Sequence, residues 1–254
     1  MKQKKLKNSR LPLGVAEGIV AIGILFVLVI VIIVIKLFNS AEETPEISLE
    51  TISAETAPKE LLSPEVILPI QITDGITLTD LYAADAKFPE DGSNTDSENL
   101  LCAVVKNDSD KTLEYLAFTL TCGTETYDFS ITTLPPSCEV YVFEKSAAQA
   151  PEKITAVSAE CQVELFFTEE PTLMDDELAF TIKDGTIDIK NITDAPIDHE
   201  IQVYYKNTEN LAYFGGITYF LRVPAGLKPG ETYSGYAANA SKNRTEVMFV
   251  KYGN

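Results

Sequence analysis

The feature that most constrains the fold is a strand-and-turn pattern that occurs twice after residue 70. Each copy has a strand ending in Lys-Asn, a hydroxyl residue two positions later, and then a proline turn: Lys106-Asn107, Ser109 and Leu134-Pro135-Pro136-Ser137, then Lys190-Asn191, Thr193 and Leu227-Lys228-Pro229-Gly230. The Asn turns are 84 residues apart (191 − 107) and the proline turns 93 apart (227 − 134). A repeat of about 100 residues is typical of β-sandwich domains.

Apolar residues alternate with other residues in the strand that follows each Asn turn. The alternating positions are Leu116, Phe118 and Leu120 in the first copy, and Ile201, Val203 and Tyr205 in the second. This period of two is typical of a strand that buries one face, although it does not distinguish a sandwich from a barrel. With the repeat, it predicts an all-β ectodomain of two tandem β-sandwich modules, residues 71–170 and 171–254.

A second constraint is the apolar run at residues 18–35, which contains no charged side chain. A helix that crosses a bilayer needs about 20 apolar residues, because lipid offers the backbone no other hydrogen-bond partner. Basic residues precede the run and glutamates follow it: Lys2, Lys4, Lys5, Lys7 and Arg10, then Glu42, Glu43, Glu46 and Glu50. Because positive flanks stay in the cytoplasm, we predict a cytoplasmic tail (1–14), one transmembrane helix (15–38) and extracytoplasmic C-terminal modules in the cell membrane.

Two other interpretations of this run stay open. A cleaved signal peptide has an apolar core of about 7–15 residues and a small-x-small site, whereas this run is longer and Asn39-Ser40-Ala41 fits such a site poorly. A pilin-like leader places its glutamate further from the cleavage glycine than Glu17 lies from Gly14. The sequence favours an uncleaved anchor over both.

The segment after the anchor is acidic and poor in aromatic residues. Residues 39–70 are rich in Glu, Pro, Ser and Thr, which predicts a disordered linker. The whole chain has a net charge of −18, and residues 1–40 carry +5. Residues 41–254 therefore carry −23 (−18 − 5). Such an acidic ectodomain repels phosphate backbones, so nucleic acid is excluded as a partner.

Four cysteines lie in the first copy: Cys102, Cys122, Cys138 and Cys161. Outside the membrane an even number favours two disulfides, with three connectivities open. If the strands around Cys138 and Cys161 form a hairpin, these two face each other and leave Cys102 with Cys122. Bridges between sheets and four reduced, buried thiols are the alternatives. No metal site is expected, because the sequence has no CxxC and the sole histidine, His199, lies in the other copy.

Part of the second copy resembles a known kind of module. The segments that carry the resemblance are Val203-Tyr204-Tyr205-Lys206-Asn207, Gly215-Gly216-Ile217-Thr218-Tyr219 and Leu227-Lys228-Pro229-Gly230. They are similar to the FxLYD-type and related immunoglobulin-like modules of membrane-anchored Gram-positive (clostridial) envelope proteins, over residues 185–252. No Phe-x-Leu-Tyr-Asp string occurs, and the first copy carries an insert around residues 83–99. The resemblance implies an immunoglobulin-like fold and an extracytoplasmic location, but no activity.

The sequence contains no pattern typical of an active site. One histidine is too few to build a triad in each copy, and no GxSxG, HExxH, Walker or GxGxxG string occurs. We therefore expect a non-enzymatic protein without a cofactor, which presents its modules for protein–protein interaction or envelope assembly. The alternative is a module that binds cell-wall glycan or a small ligand, with Tyr205, Tyr213 and Tyr219 as contacts. A pilin-like subunit is a minor alternative.

Overall fold

The computed structural model describes residues 59–253. The predicted cytoplasmic tail, the transmembrane helix and residues 39–58 of the predicted linker lie outside them. Over residues 59–253, no helix is long and apolar enough to cross a membrane. Every regular element in this range is a β-strand, which confirms the all-β prediction for this part of the chain.

The strands fall into two groups along the chain. The first repeat contains β1 (Lys59–Glu60), β2 (Ile70–Thr73), β3 (Ile76–Phe88), β4 (Thr95–Asn107), β5 (Leu113–Cys122), β6 (Glu125–Leu134), β7 (Glu139–Phe143) and β8 (Val157–Phe166). The second repeat contains β9 (Leu178–Lys183), β10 (Thr186–Asn191), β11 (Ile201–Glu209), β12 (Ala212–Val223), β13 (Thr232–Tyr236) and β14 (Thr245–Tyr252).

These strands form three sheets. The largest has the order β1-β3-β4-β7-β12-β11-β14, with β2 paired to β3, and the other two have the orders β6-β5-β8 and β13-β10-β9. The orders β3-β4-β7 and β6-β5-β8 of the first repeat therefore recur as β9-β10-β13 and β12-β11-β14 in the second. The repeats share one sheet because β7 and β12 pair in parallel, with Val140 opposite Tyr213 and Tyr141 opposite Phe214.

Each repeat has its own hydrophobic core between two sheets, as expected for packed β layers. Leu101 and Val140 of the large sheet pack in the first core with Leu116 and Phe129 of the β6-β5-β8 sheet. The second core lies between β12-β11-β14 and β13-β10-β9, and it is built around Val203, Tyr205, Leu221, Ile187 and Ile189. This layering is consistent with a β-sandwich.

A buried asparagine organises each Asn turn. The Asn107 amide donates to the carbonyls of Lys111 (2.9 Å) and Leu134 (2.7 Å), and its Oδ1 accepts from the backbone N–H (3.0 Å) and hydroxyl (2.6 Å) of Ser109. The second repeat has the same four bonds, from Asn191 to Ala195 and Leu227 and from Thr193 to Asn191, at 2.8–2.9 Å. The sequence repeat therefore extends to individual hydrogen bonds.

The folded body begins earlier than the predicted linker boundary. β1 pairs with β3, and Leu61 is buried in the first core. The backbone N–H of Ser63 donates to the carbonyl of Ile154 (2.9 Å), which ties this segment to a distant loop. Residues 59–70 were expected in the linker, but they pack because Leu61 supplies an apolar side chain that the acidic composition of the segment masks.

Candidate functional site

An aromatic ridge lies on the face of β11, β12 and β14 that points away from the second core. Tyr204 lies opposite Phe220 on β12 and opposite Phe249 on β14. Its ring stacks on Phe249 (centroids 4.3 Å apart, 12° between planes) and on Phe220 (5.8 Å, 28°). Val203 and Tyr205, the chain neighbours of Tyr204, point into the core, so strand alternation places Tyr204 on the opposite face.

The first repeat contributes a wall beside this ridge. Phe167 follows β8 directly, and its ring meets Phe249 edge to face with centroids 5.4 Å apart. Leu165 and Val163 precede Phe167 at alternate positions and are 51% and 43% exposed. Because alternate residues of a strand share a face, these three side chains form a row that leads away from the ridge. We call the six residues Val163, Leu165, Phe167, Tyr204, Phe220 and Phe249 the apolar corner.

Two cations border the apolar corner. The Lys251 ammonium lies 5.3 Å from the ring centroids of Phe167 and Phe249, and 5.9 Å from that of Tyr204. It forms no ion pair with any residue in the range 59–253. The Arg222 guanidinium lies 5.6 Å from the Phe220 centroid and 3.7 Å from a Glu200 oxygen. The corner therefore combines apolar surface with positive charge in an otherwise acidic protein.

The three tyrosines that the sequence suggested as ligand contacts lie elsewhere. Tyr205 is 1% exposed and donates to the carbonyl of Ala238 (3.0 Å), and Tyr213 is 7% exposed and donates to Glu246 (3.2 Å). Burial raises the pKa of both hydroxyls, so both remain donors. Tyr219 is half-buried and stacks on Tyr205. Tyr205 and Tyr213 are thus core residues that leave little surface for the predicted ligand contact.

Sequence reasoning missed Tyr204, the central residue of the ridge. Tyr204 and Tyr205 are adjacent, and a shift of one position decides which of them faces solvent. The alternation of Ile201, Val203 and Tyr205 does indicate that Tyr204 points outward. The pairing of Tyr204 with Phe220 and Phe249, however, depends on the strand registers of the folded sheet.

All four cysteines are free thiols in this structure, which is one of the alternatives that the sequence leaves open. The hairpin that would pair Cys138 with Cys161 does not form, because β7 pairs with β4 and β12, while β8 pairs with β5. Cys102 packs in a separate cluster with Leu100 and Phe143, whereas Cys122 borders the first core. Burial raises the pKa of the Cys102 thiol to about 12 and that of Cys122 to about 11.

No group of three or more His, Cys, Asp or Glu side chains within residues 59–253 is arranged to hold a metal ion. His199 instead lies beside the Tyr252 ring, with centroids 5.6 Å apart. What the apolar corner offers is contact area and charge, which suits recognition of a partner.

Comparison with known proteins gives no relative from which a function could be transferred. No protein family, no curated protein and no solved structure matches this chain. Any functional inference therefore depends on the sequence pattern and on the apolar corner.

Proposed function

We propose that this chain is a non-enzymatic, single-pass membrane protein that presents two tandem immunoglobulin-like modules outside the cell membrane for contact with a protein partner. The apolar run at residues 18–35 and the charge difference across it support the anchor and its direction. The resemblance to Gram-positive envelope modules supports a role in the cell envelope.

The strand order supports the immunoglobulin-like assignment. In each repeat, the first, second and fifth main strands form one sheet: β3, β4 and β7, then β9, β10 and β13. The third and sixth main strands are neighbours in the other sheet: β5 and β8, then β11 and β14. Strands A, B and E, and strands C and F, have these relationships in immunoglobulin domains.

The apolar corner is the observation that carries the binding role. Eight large apolar side chains within the described range are exposed, and three of them, Val163, Leu165 and Phe220, lie in this corner. Ring contacts through the half-buried Tyr204 and Phe167 and the buried Phe249 link the exposed Phe220 to the row of Leu165 and Val163. Clustered exposed apolar side chains support a contact site, whereas singly scattered ones do not. Aromatic residues with a neighbouring arginine are also enriched in protein interfaces.

The chemistry of the corner favours an acidic protein segment as the occupant. Lys251 is free to pair with a carboxylate, and the corner is continuous with an existing protein interface. On the face of β11 that carries Tyr204, Lys206 lies two positions further and already contacts the first repeat at Thr132. A glycan is less well supported, because sugars stack on open ring faces, while these rings stack on one another or face a cation.

Site-specific photo-crosslinking in native membranes tests the proposal. The full chain would carry p-benzoylphenylalanine in place of Phe220, or, as a matched control, in place of Tyr236, which is 80% exposed outside the corner. We expect a discrete protein adduct from position 220 only. The exchange Lys251→Glu should weaken that adduct by about tenfold, because one lost charge contact is worth about 1.4 kcal/mol.

Several outcomes would count against this proposal. Equal adducts from positions 220 and 236, no adduct, or an adduct insensitive to Lys251→Glu would each reject protein contact at the corner. Co-sedimentation with purified wall polysaccharide that Phe220→Ala abolishes would instead favour the glycan alternative.

A further inference from the structure

The two segments that break the repeat meet each other in space. In the first repeat, β3 and β4 have 13 residues each, whereas β9 and β10 of the second have six each. In the second repeat, the Asn191 amide binds the carbonyl of Leu227, which lies 36 residues later in the chain. In the first repeat, the Leu134 carbonyl lies only 27 residues after Asn107. Eight of these nine additional residues lie in the loops before β11 and after β12, since the β11–β12 hairpin is only one residue longer than the β5–β6 hairpin. β12 nevertheless has a bulge that β6 lacks: Tyr205 and Asn207 of β11 are two positions apart, whereas their partners Tyr219 and Phe214 on β12 are five apart. The long β3–β4 hairpin and the β12 bulge therefore each lack a counterpart in the other repeat, and both lie where the repeats join.

Two glycines allow this close approach. A Cβ at Gly216 would lie 2.0 Å from the carbonyl oxygen of Ser130 in the first repeat, so no other residue fits there. Gly215 has φ +87°, and a Cβ there would lie 2.7 Å from Pro89 at the tip of the β3–β4 hairpin. The backbone of β12 thus lies directly against both β6 and the loop after β3.

A glutamate and a lysine converge on Gly216 from the two repeats. Glu90 accepts from the backbone N–H of Phe143 (3.0 Å) and from that of Gly216 (2.9 Å). Lys206, which is fully buried, donates to the carbonyls of Thr132 (2.9 Å) and Gly216 (3.1 Å). Desolvation raises the pKa of Glu90 and lowers that of Lys206 to about 7, while the opposite charge of each partner resists these shifts. Each group therefore makes the burial of the other tolerable.

We propose that Glu90 and Lys206 form a lock that fixes the two repeats at one angle and so positions the wall of the apolar corner against its ridge. Lys206 shares its strand face with Tyr204 of the ridge, and Thr132 belongs to the sheet whose β8 carries Leu165 and leads to Phe167. The contact of Glu90 and Lys206 with Gly216, which we call the joint, therefore determines the angle between that sheet and the strands β11 and β12. Only the use of the corner rests on the proposed function; the lock is a property of this chain alone.

Distance measurements on the full chain in lipid nanodiscs test the lock. Spin labels attached through non-canonical residues at the exposed positions Glu160 and Asn243 report the spacing between the repeats by pulsed electron resonance. We expect a narrow distance distribution in the parent protein. Its width should increase about twofold in Lys206→Met, and also in the milder Glu90→Gln, since removing one partner leaves the other buried without compensation.

The matched control is Val203→Ala, which removes apolar contacts from the second core without changing the joint. It should lower stability and leave the distribution narrow. An unchanged width in both joint variants would overturn the lock, and so would equal broadening in Val203→Ala. Crosslinking from position 220 is a separate experiment. If the joint variants leave the distance distribution unchanged but position 220 still gives its adduct, only this inference is rejected. If the joint variants broaden the distribution but position 220 gives no adduct, only the proposed function is rejected.

Discussion

At the scale of single residues, one buried asparagine in each repeat makes the same set of hydrogen bonds. Asn107 and Asn191 are fully buried, and each uses both N–H groups and its oxygen within one turn. A buried amide is tolerated only when its hydrogen bonds are made, and here all of them are made to the turn and to the following proline turn. Each asparagine therefore ties two turns that are distant in sequence.

Replacement of this asparagine tests its role. Asn107→Ala should lower the free energy of unfolding by about 2–3 kcal/mol, because it removes the hydrogen bonds of Asn107 to the buried carbonyl of Leu134 and to the backbone N–H of Ser109. The exposed Asn243→Ala is the matched control and should change it by about 0.5 kcal/mol or less. Urea unfolding followed by circular dichroism measures both, and similar losses in the two variants would contradict the role of the turn.

At the scale of strands, the face on which a residue lies decides its chemistry. Cys102 lies on the face of β4 opposite to the neighbouring Leu101 and Ala103, which enter the first core. Cys122 lies at the far end of β5 and borders that first core. An even number of cysteines is a reasonable signal for disulfides outside the cell, but two thiols bridge only when their strands bring the Cβ atoms within about 4.5 Å.

The thiols give a direct test of this arrangement. Treatment with a reductant should leave the mass of the alkylated, unfolded protein unchanged, with four alkylated cysteines in each case. In the folded protein at pH 8, Cys102 should react with iodoacetamide far more slowly than the partly exposed Cys138 and Cys161. The thiolate is the nucleophile, and a pKa of about 12 keeps Cys102 protonated, so its rate should rise with pH throughout the alkaline range. Fewer than four labels before reduction would show a disulfide instead.

Strand pairing explains which elements the sequence could predict. Most neighbours within a sheet, such as β5 with β6 or β11 with β12, are consecutive hairpins whose turns and alternation are visible locally. The parallel contact of β7 with β12 joins residues about 73 positions apart, and no local pattern encodes it. The apolar corner depends on that contact, which is why its wall and ridge could not be combined from sequence.

At the scale of the whole molecule, the two repeats share one sheet and meet through two segments that the repeat does not share. Over residues 59–253, the first repeat has no counterpart of the β12 bulge, and the second has none of the long β3–β4 hairpin. The contact between the repeats therefore depends on one segment from each repeat, and neither repeat supplies both.

The tether itself is tested on membranes from the producing cell. If residues 15–38 form an uncleaved anchor, the full chain should resist extraction by alkaline carbonate, and mass spectrometry should find its N-terminus intact. Protease added to intact cells should cut the ectodomain while the basic tail stays protected. Deletion of residues 18–35 is the control and should release the protein from the membrane. Cleavage near Gly14 would favour the pilin-like alternative, and cleavage near Ala41 a signal peptide.

By itself, the sequence determined the features that depend on neighbouring residues. Alternation gave the strands, the Asn and proline turns gave the repeat, and the apolar run predicts the anchor, because these signals follow from backbone geometry over a few residues. Only the tertiary structure decided that the half-buried Tyr204 joins Phe220 and Phe249 on the outer face of the sheet, that the cysteines lie apart, and that Glu90 and Lys206 both bond to Gly216. These outcomes depend on pairings between distant strands, where register and close approach are determined by packing of the whole body.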